Sequence, residues 1–231
     1  MVALPSSPTP AEVNIKWASN SLSYRSPLSG ALQTSARLGG QWVIDLSMPP
    51  MTRYQAGEWE AVLFSADGFA TAIDAGPDHQ HPLDWYDASA NTHADEYATT
   101  LYLDFVKTDY RVRYITAPTV LVNGAASAAA TTLAVDGLDG VGLNRGDWFS
   151  VSNGTYSELH MVTADAFPNS SGEATLSIHP PLRRAVSNNV AVTIENPKGE
   201  FILAQDDTAQ STLDRRGVVE LGTIQLQEFV R

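Results

Sequence analysis

His79-Gln80-His81, with Asp78 and Asp84 beside it and His93 a short way on, is the densest group of potential metal ligands in the sequence. Imidazole and carboxylate are the donors of zinc and manganese sites. A His-x-His pair converges on one ion only in an extended segment, and nothing in the sequence fixes a third ligand. A polar surface loop is the simpler reading, and no metal is expected. Asp147 and Glu158 could meet in space as the carboxylate pair of a glycoside-processing enzyme does, but ordinary turn and surface acids explain them more simply. The chain has no G-x-S-x-G nucleophile elbow, phosphate-binding Gly-rich loop, H-E-x-x-H or EF-hand loop, so neither an enzyme nor a cofactor is expected. Arg145-Gly146-Asp147 spells an adhesive tripeptide, yet between Leu143 and Phe149 it reads as a tight turn feeding an alternating strand. Asn153-Gly-Thr155 and Asn169-Ser-Ser171 match the N-glycosylation acceptor and are read first as turns.

Recognition rather than catalysis is the other chemistry on offer. Trp85, Tyr86, Tyr97, Tyr102, Tyr110 and Tyr114 cluster in residues 77–118, where acids outnumber Lys and Arg seven to three. Exposed Trp and Tyr beside polar groups suit carbohydrate or protein recognition. A locally packed insert, with 102–106 and 110–115 paired as a hairpin, is the plainer alternative.

The elements that must position these residues are read from periodicity. Val13, Ile15 and Trp17 alternate with Asn14 and Lys16, and Leu32, Thr34, Ala36 and Leu38 repeat the period after Ser26-Pro-Leu-Ser-Gly30. Two half-buried antiparallel strands are expected. Trp42, Ile44, Leu46 and Met48 share one face of a third strand, which Pro49 and Pro50 end because neither can donate to a ladder. Thr52 is the expected N-cap of a helix, with Gln55 completing a capping box. Trp59, Val62, Leu63 and Ala66 form its apolar stripe, Asp67-Gly68 stops it, and the Trp42 face is its expected partner. A strand over 69–73 returns the chain to the sheet.

From Thr119 short strands alternate with turns, at 120–122, 132–135, 148–151, 159–163, 174–178 and 190–194. This spacing predicts a small barrel or sandwich. After it come a strand at 201–204, a polar loop through Arg216, and a long strand over 217–230 with a bulge near Gly222. The fold class expected is mainly β, with a discontinuous domain of residues 12–76 and 197–231 interrupted by two segments. These are an acidic, aromatic insert at 77–118 and a small β domain at 119–196. Residues 1–11, rich in Pro, Ser and Thr, are expected to form an arm that orders on a neighbour.

The chain has 231 residues, no cysteine and a formal net charge of −12. It is long enough to bury a core without disulfides, and Cys-based zinc sites are excluded. The acidic balance argues against gripping nucleic acid or an anionic membrane. The N-terminus lacks a basic segment followed by an apolar core, and no apolar run approaches the roughly 18 residues of a membrane span. A soluble chain is expected.

Residues 41–68, with a strand ending in Met48-Pro49-Pro50-Met51-Thr52 and a helix carrying Trp59 and Leu63, resemble the distal tail proteins of long-tailed, siphovirus-like bacteriophages. The likeness continues through Glu195-Asn196-Pro197-Lys198-Gly199-Glu200-Phe201 and the closing Glu228-Phe229-Val230. Val122-Asn-Gly124, Leu143-x-x-Gly-Asp-x-Phe149, Ala174-Thr-Leu-Ser-Ile178 and Pro180-Pro-Leu182 are similar to the small β domain that such proteins carry as an insertion. The resemblance implies a β-sandwich belt domain with one α-helix, and a small β-barrel or sandwich domain that projects from it. It implies a hexameric adaptor ring, in which Trp42, Pro49, Pro50, Thr52, Trp59, Leu63, Gly199 and Phe201 serve structure or interfaces. The ring would join the tail tube protein to the hub, baseplate and fibre proteins at the virion's tail tip, after synthesis in the host cytoplasm. DNA would only pass through its lumen, which an acidic composition suits, and no membrane partner is implied. Residues 77–118 have no counterpart in the family pattern. The alternative is a carbohydrate-binding module for host-surface recognition through the inserted region, with Trp85, Tyr86 and Tyr97 as contacts.

Overall fold

A computed structural model describes residues 2–5, 7–36, 39–77, 84–87, 92–93, 119–138, 141–205, 212–213 and 218–230. The chain divides into two compact units, Met1–Ala75 with Glu200–Arg231, and Gly76–Gly199 between them. The expected boundaries, 76 and 197, fall within a few residues of these divisions. The protein is mainly β, with one helix among the described residues.

Unit 1 begins with β1 (Val2–Ala3), β2 (Glu12–Ala18), β3 (Ser21–Arg25), β4 (Leu32–Ala36), β5 (Gln41–Ser47) and β6 (Met51–Thr52). Then come α1 (Arg53–Ala66) and β7 (Ile73–Ala75). Unit 2 holds β8 (Asp84–Asp87), β9 (Thr92–His93), β10 (Val120–Val122), β11 (Thr132–Asp136), β12 (Val141–Gly142), β13 (Trp148–Ser152), β14 (Ser157–Ala164), β15 (Ala174–His179) and β16 (Ala191–Thr193). The chain returns through β17 (Gly199–Leu203) to β18 (Thr212–Leu213), β19 (Val218–Glu220) and β20 (Thr223–Glu228).

The main sheet of unit 1 runs β1-β7-β17-β20-β5-β2. The chain leaves this sheet after β7 and re-enters it at the adjacent strand, β17, which is how a domain is inserted without disturbing its host. The alternation read from the sequence sets the register. Ile15 pairs with Ile44, Ile44 with Leu226 and Leu226 with Leu203, so one apolar row crosses four strands. Trp17 faces Trp42 in a second row, with ring centroids 4.9 Å apart at 69°. The opposite face is polar. Asp45 accepts from Lys16 Nζ at 2.7 Å and from Gln225 Nε2 at 2.6 Å. Burial alone would push the Asp45 carboxyl up; these hydrogen bonds and the Lys16 charge outweigh it and hold the carboxyl below its ordinary 3.8.

The helix starts as expected. The Thr52 side chain accepts from the Gln55 N–H, and the Gln55 side chain accepts from the Thr52 N–H at 3.1 Å, so the capping box is complete. Asp67 adopts the left-handed conformation at the C-cap. Ala56, Trp59, Leu63 and Ala66 are buried, and α1 runs beside β1, β6 and β19.

Four expectations for unit 1 are corrected. β2 pairs with β5, and Ser26 to Gly30 instead closes a separate hairpin of β3 and β4 whose described side chains are exposed. The strand after the helix is Ile73–Ala75. The long C-terminal strand breaks at Gly222, whose φ of +66° ends β19, so that β19 joins β6 and β18 while β20 lies inside the main sheet. In the N-terminal arm, Val2 and Ala3 pair with Ile73 and Asp74 of the same chain, and Val2 N–H donates to Ala72 O at 2.9 Å.

Unit 2 is built around a closed barrel of β10-β11-β15-β14-β13-β16, sealed by β16 pairing back onto β10. Phe149, Leu133, Val135, Val162, Leu176 and Val192 fill its interior. Closure removes the exposed edges that a sheet of such short strands would otherwise carry. A Cβ on Gly76 would run into the Pro197 carbonyl oxygen, so the two segments that bound unit 2 run in direct contact.

Candidate functional site

Of the residues singled out in the sequence, Trp42, Trp59, Leu63, Gly199 and Phe201 are buried. The side chains of Trp42, Trp59, Leu63 and Phe201 are part of the core. Thr52 is the helix cap, Pro49 is half-buried and Pro50 is exposed. Asp78, His79, His81 and Tyr97 lie outside the described residues, as do Tyr102, Tyr110 and Tyr114; of Trp85, Tyr86 and His93 only the backbone, in β8 and β9, is described. Among the described residues no group of three or more His, Asp or Glu side chains is placed to hold a metal.

The two tempting acids of the barrel are both inside it. Asp147 Oδ2 accepts from the Asn144 N–H at 2.7 Å, and Gly146, at a φ of +97°, donates its N–H to Val162 O at 2.8 Å. Arg145-Gly146-Asp147 is thus a turn with its carboxylate turned inward. Glu158 and His160 stand opposite Val151 and Phe149 and share their inward direction. Glu158 Oε2 accepts from the Arg183 N–H at 3.1 Å and lies 3.6 Å from His160 Nε2. His160 Nδ1 must donate to Pro180 O, 2.9 Å away, because a carbonyl only accepts. Its ring stacks on Phe149 and has no accessible surface. A group so enclosed cannot touch a substrate in this arrangement. His179 next to it is pushed below its ordinary 6.5 by burial first, then by Arg183 and His160.

The outer wall of the barrel carries a cleft of about 500 Å³ lined by Asn123, Phe167, Pro168, Asn169, Glu173 and Thr175. Both oxygens of the Glu173 carboxylate are engaged, one by Asn123 Nδ2 at 3.2 Å and the other by Asn169 Nδ2 at 3.0 Å. Asn169 is fixed in turn, since its Oδ1 accepts from the N–H groups of Ser171 and Glu173.

Unit 1 offers a different surface. All eight exposed large hydrophobic residues among those described, Leu22, Tyr24, Leu28, Leu32, Tyr54, Phe64, Phe69 and Val230, belong to it. Four sit on the β3–β4 hairpin, where Leu28, at the tip, is 98 % exposed. Two more sit on α1, where Tyr54 and Phe64 are 77 % and 67 % exposed. The outer face of α1 carries Tyr54, Gly57, Ala61 and Phe64, with the spacing i, i+3, i+7, i+10. The buried stripe Ala56, Trp59, Leu63 and Ala66 has the same spacing, two residues on, which turns it about 160° away around the helix. The helix is therefore apolar on two opposite sides. Only the inner stripe was expected from the sequence; the repeated spacing was the signal for the outer one.

No family model and no curated protein sequence matches the chain. Among the described residues no helix is long and apolar enough to cross a membrane.

Proposed function

We propose that this chain is a structural virion protein that assembles with its own copies into an adaptor ring. The ring sits at the distal end of a long phage tail, hexameric as the resemblance implies, and joins the tail tube to the hub, baseplate and host-recognition proteins. The observation that carries this reading is the confinement of exposed large apolar side chains, among the described residues, to unit 1. Apolar patches left on a folded surface mark sites of association. Their occurrence on two dissimilar structures, a hairpin and a helix face, fits a head-to-tail contact of the kind that closes rings. The motifs at 48–52, 195–201 and 228–230 supply the place in the virion. Native mass spectrometry of the purified chain tests the reading: one closed oligomer of defined copy number supports it, and a monomer at high concentration refutes it.

The cleft on the barrel favours a second reading, host-glycan recognition. A carboxylate held between two amides beside an aromatic and a proline offers a sugar both hydrogen-bonding groups and an apolar wall. Saccharide binding lost in Glu173→Ala would support it, and an unaltered glycan profile would remove it.

A further inference from the structure

Gly57 lies in the middle of α1, where glycine costs about 1 kcal/mol relative to alanine. Nothing within the described chain asks for it. Its φ is not positive, and a Cβ built there meets no atom within 4 Å. Ala61, one turn on, is also small and exposed. The two form a shallow floor on the outer face of the helix, bounded by the rings of Tyr54 and Phe64, whose Cα atoms lie about 15 Å apart along the axis. That span admits the tip of a two-stranded hairpin, with strands about 4.8 Å apart and side chains on either side.

The hairpin of the same unit is the matching part. Among the described residues β3 and β4 pair only with each other, and Leu22, Tyr24, Leu28 and Leu32 are exposed. Charge agrees with shape. Residues 19–36, which hold the hairpin, contain Arg25 and no Asp or Glu, in a chain whose net charge is −12. α1 carries the exposed Glu58 beside this stripe and is followed by the exposed C-cap Asp67, while its one basic residue, Arg53, is tied to Glu60 at 3.0 Å. A basic, apolar hairpin and an acid-flanked apolar groove are complementary surfaces.

Resting on the ring reading above, we infer that the β3–β4 hairpin of one copy docks on the Tyr54-Gly57-Ala61-Phe64 face of α1 in the next copy. Gly57 is small because the neighbour's hairpin tip lies against it. The contact joins two different surfaces, so it repeats around a ring.

The absence of cysteine from the chain makes the test direct. Leu28→Cys and Ala61→Cys proteins, mixed and mildly oxidised, are expected to give a covalent dimer. The double variant should give a ladder of multimers, and neither single variant should link to itself. Gly57→Trp should weaken self-association at least about tenfold while leaving the melting temperature of the protomer unchanged or higher. Oligomers in native mass spectra that form no disulfide between the two introduced thiols, self-linked Leu28→Cys dimers, or unchanged association of Gly57→Trp would overturn the docking mode and leave the ring standing. A chain that stays monomeric overturns both.

Discussion

Protonation of His179 is opposed within unit 2 by burial first and then by Arg183 and His160. Its folded pKa lies below the ordinary 6.5, so the unfolded chain binds this proton more readily. The stability that His179 contributes is complete above about pH 6.5 and falls as pH drops through the folded value. His179→Gln is expected to reduce the loss of urea stability between pH 7.5 and pH 5.5; an identical loss in both proteins would show that this proton is not linked to folding. This behaviour was not legible in the sequence. His160 and Glu158 become buried neighbours of His179 and Arg183 only through the pairing of Phe149 with His160 and of Met161 with His179, and a register between strands is not written in either strand. The turn at Asp147 was legible, because a Gly-Asp pair before an alternating strand has one economical conformation.

The elements were legible where local chemistry decides them. Thr52 and Gln55 form the capping box that their spacing announced, and the six strands read between residues 120 and 194 all belong to the barrel. Thr52→Ala removes the acceptor for the Gln55 N–H and half of the reciprocal pair; about 1 kcal/mol of stability should be lost in urea titration, and no change would show that the box adds nothing. The elements that were misread are those decided by partners. Leu32, Thr34 and Ala36 were expected on a half-buried strand, but among the described residues β4 pairs with β3 alone and leaves Leu32 exposed, so apolar alternation there does not mean half-burial. The closing strand keeps its alternation on either side of Gly222 and changes sheet there, a choice made by the neighbours of β19 and β20. In α1 the strong inner stripe masks an outer stripe of equal spacing.

At the scale of the whole molecule, labour is divided between the units. The described barrel surface carries no exposed large hydrophobic residue and holds a preformed polar cleft, whereas unit 1 carries all the exposed large apolar side chains among the described residues. In the proposed ring, unit 1 supplies the contacts between copies and unit 2 is free to vary in what it meets. The strand and helix from Gln41 to Leu63 are firmly specified, and their two sides serve different ends. The inner side is core, with Trp42, Ile44, Leu46, Trp59 and Leu63 buried, and in the proposed ring the outer side of the helix meets a neighbour. Native mass spectrometry of the intact chain across a concentration series is the most direct test of assembly. Self-association into a ring requires a single closed species of more than two copies, and a chain that remains monomeric throughout the series would contradict it.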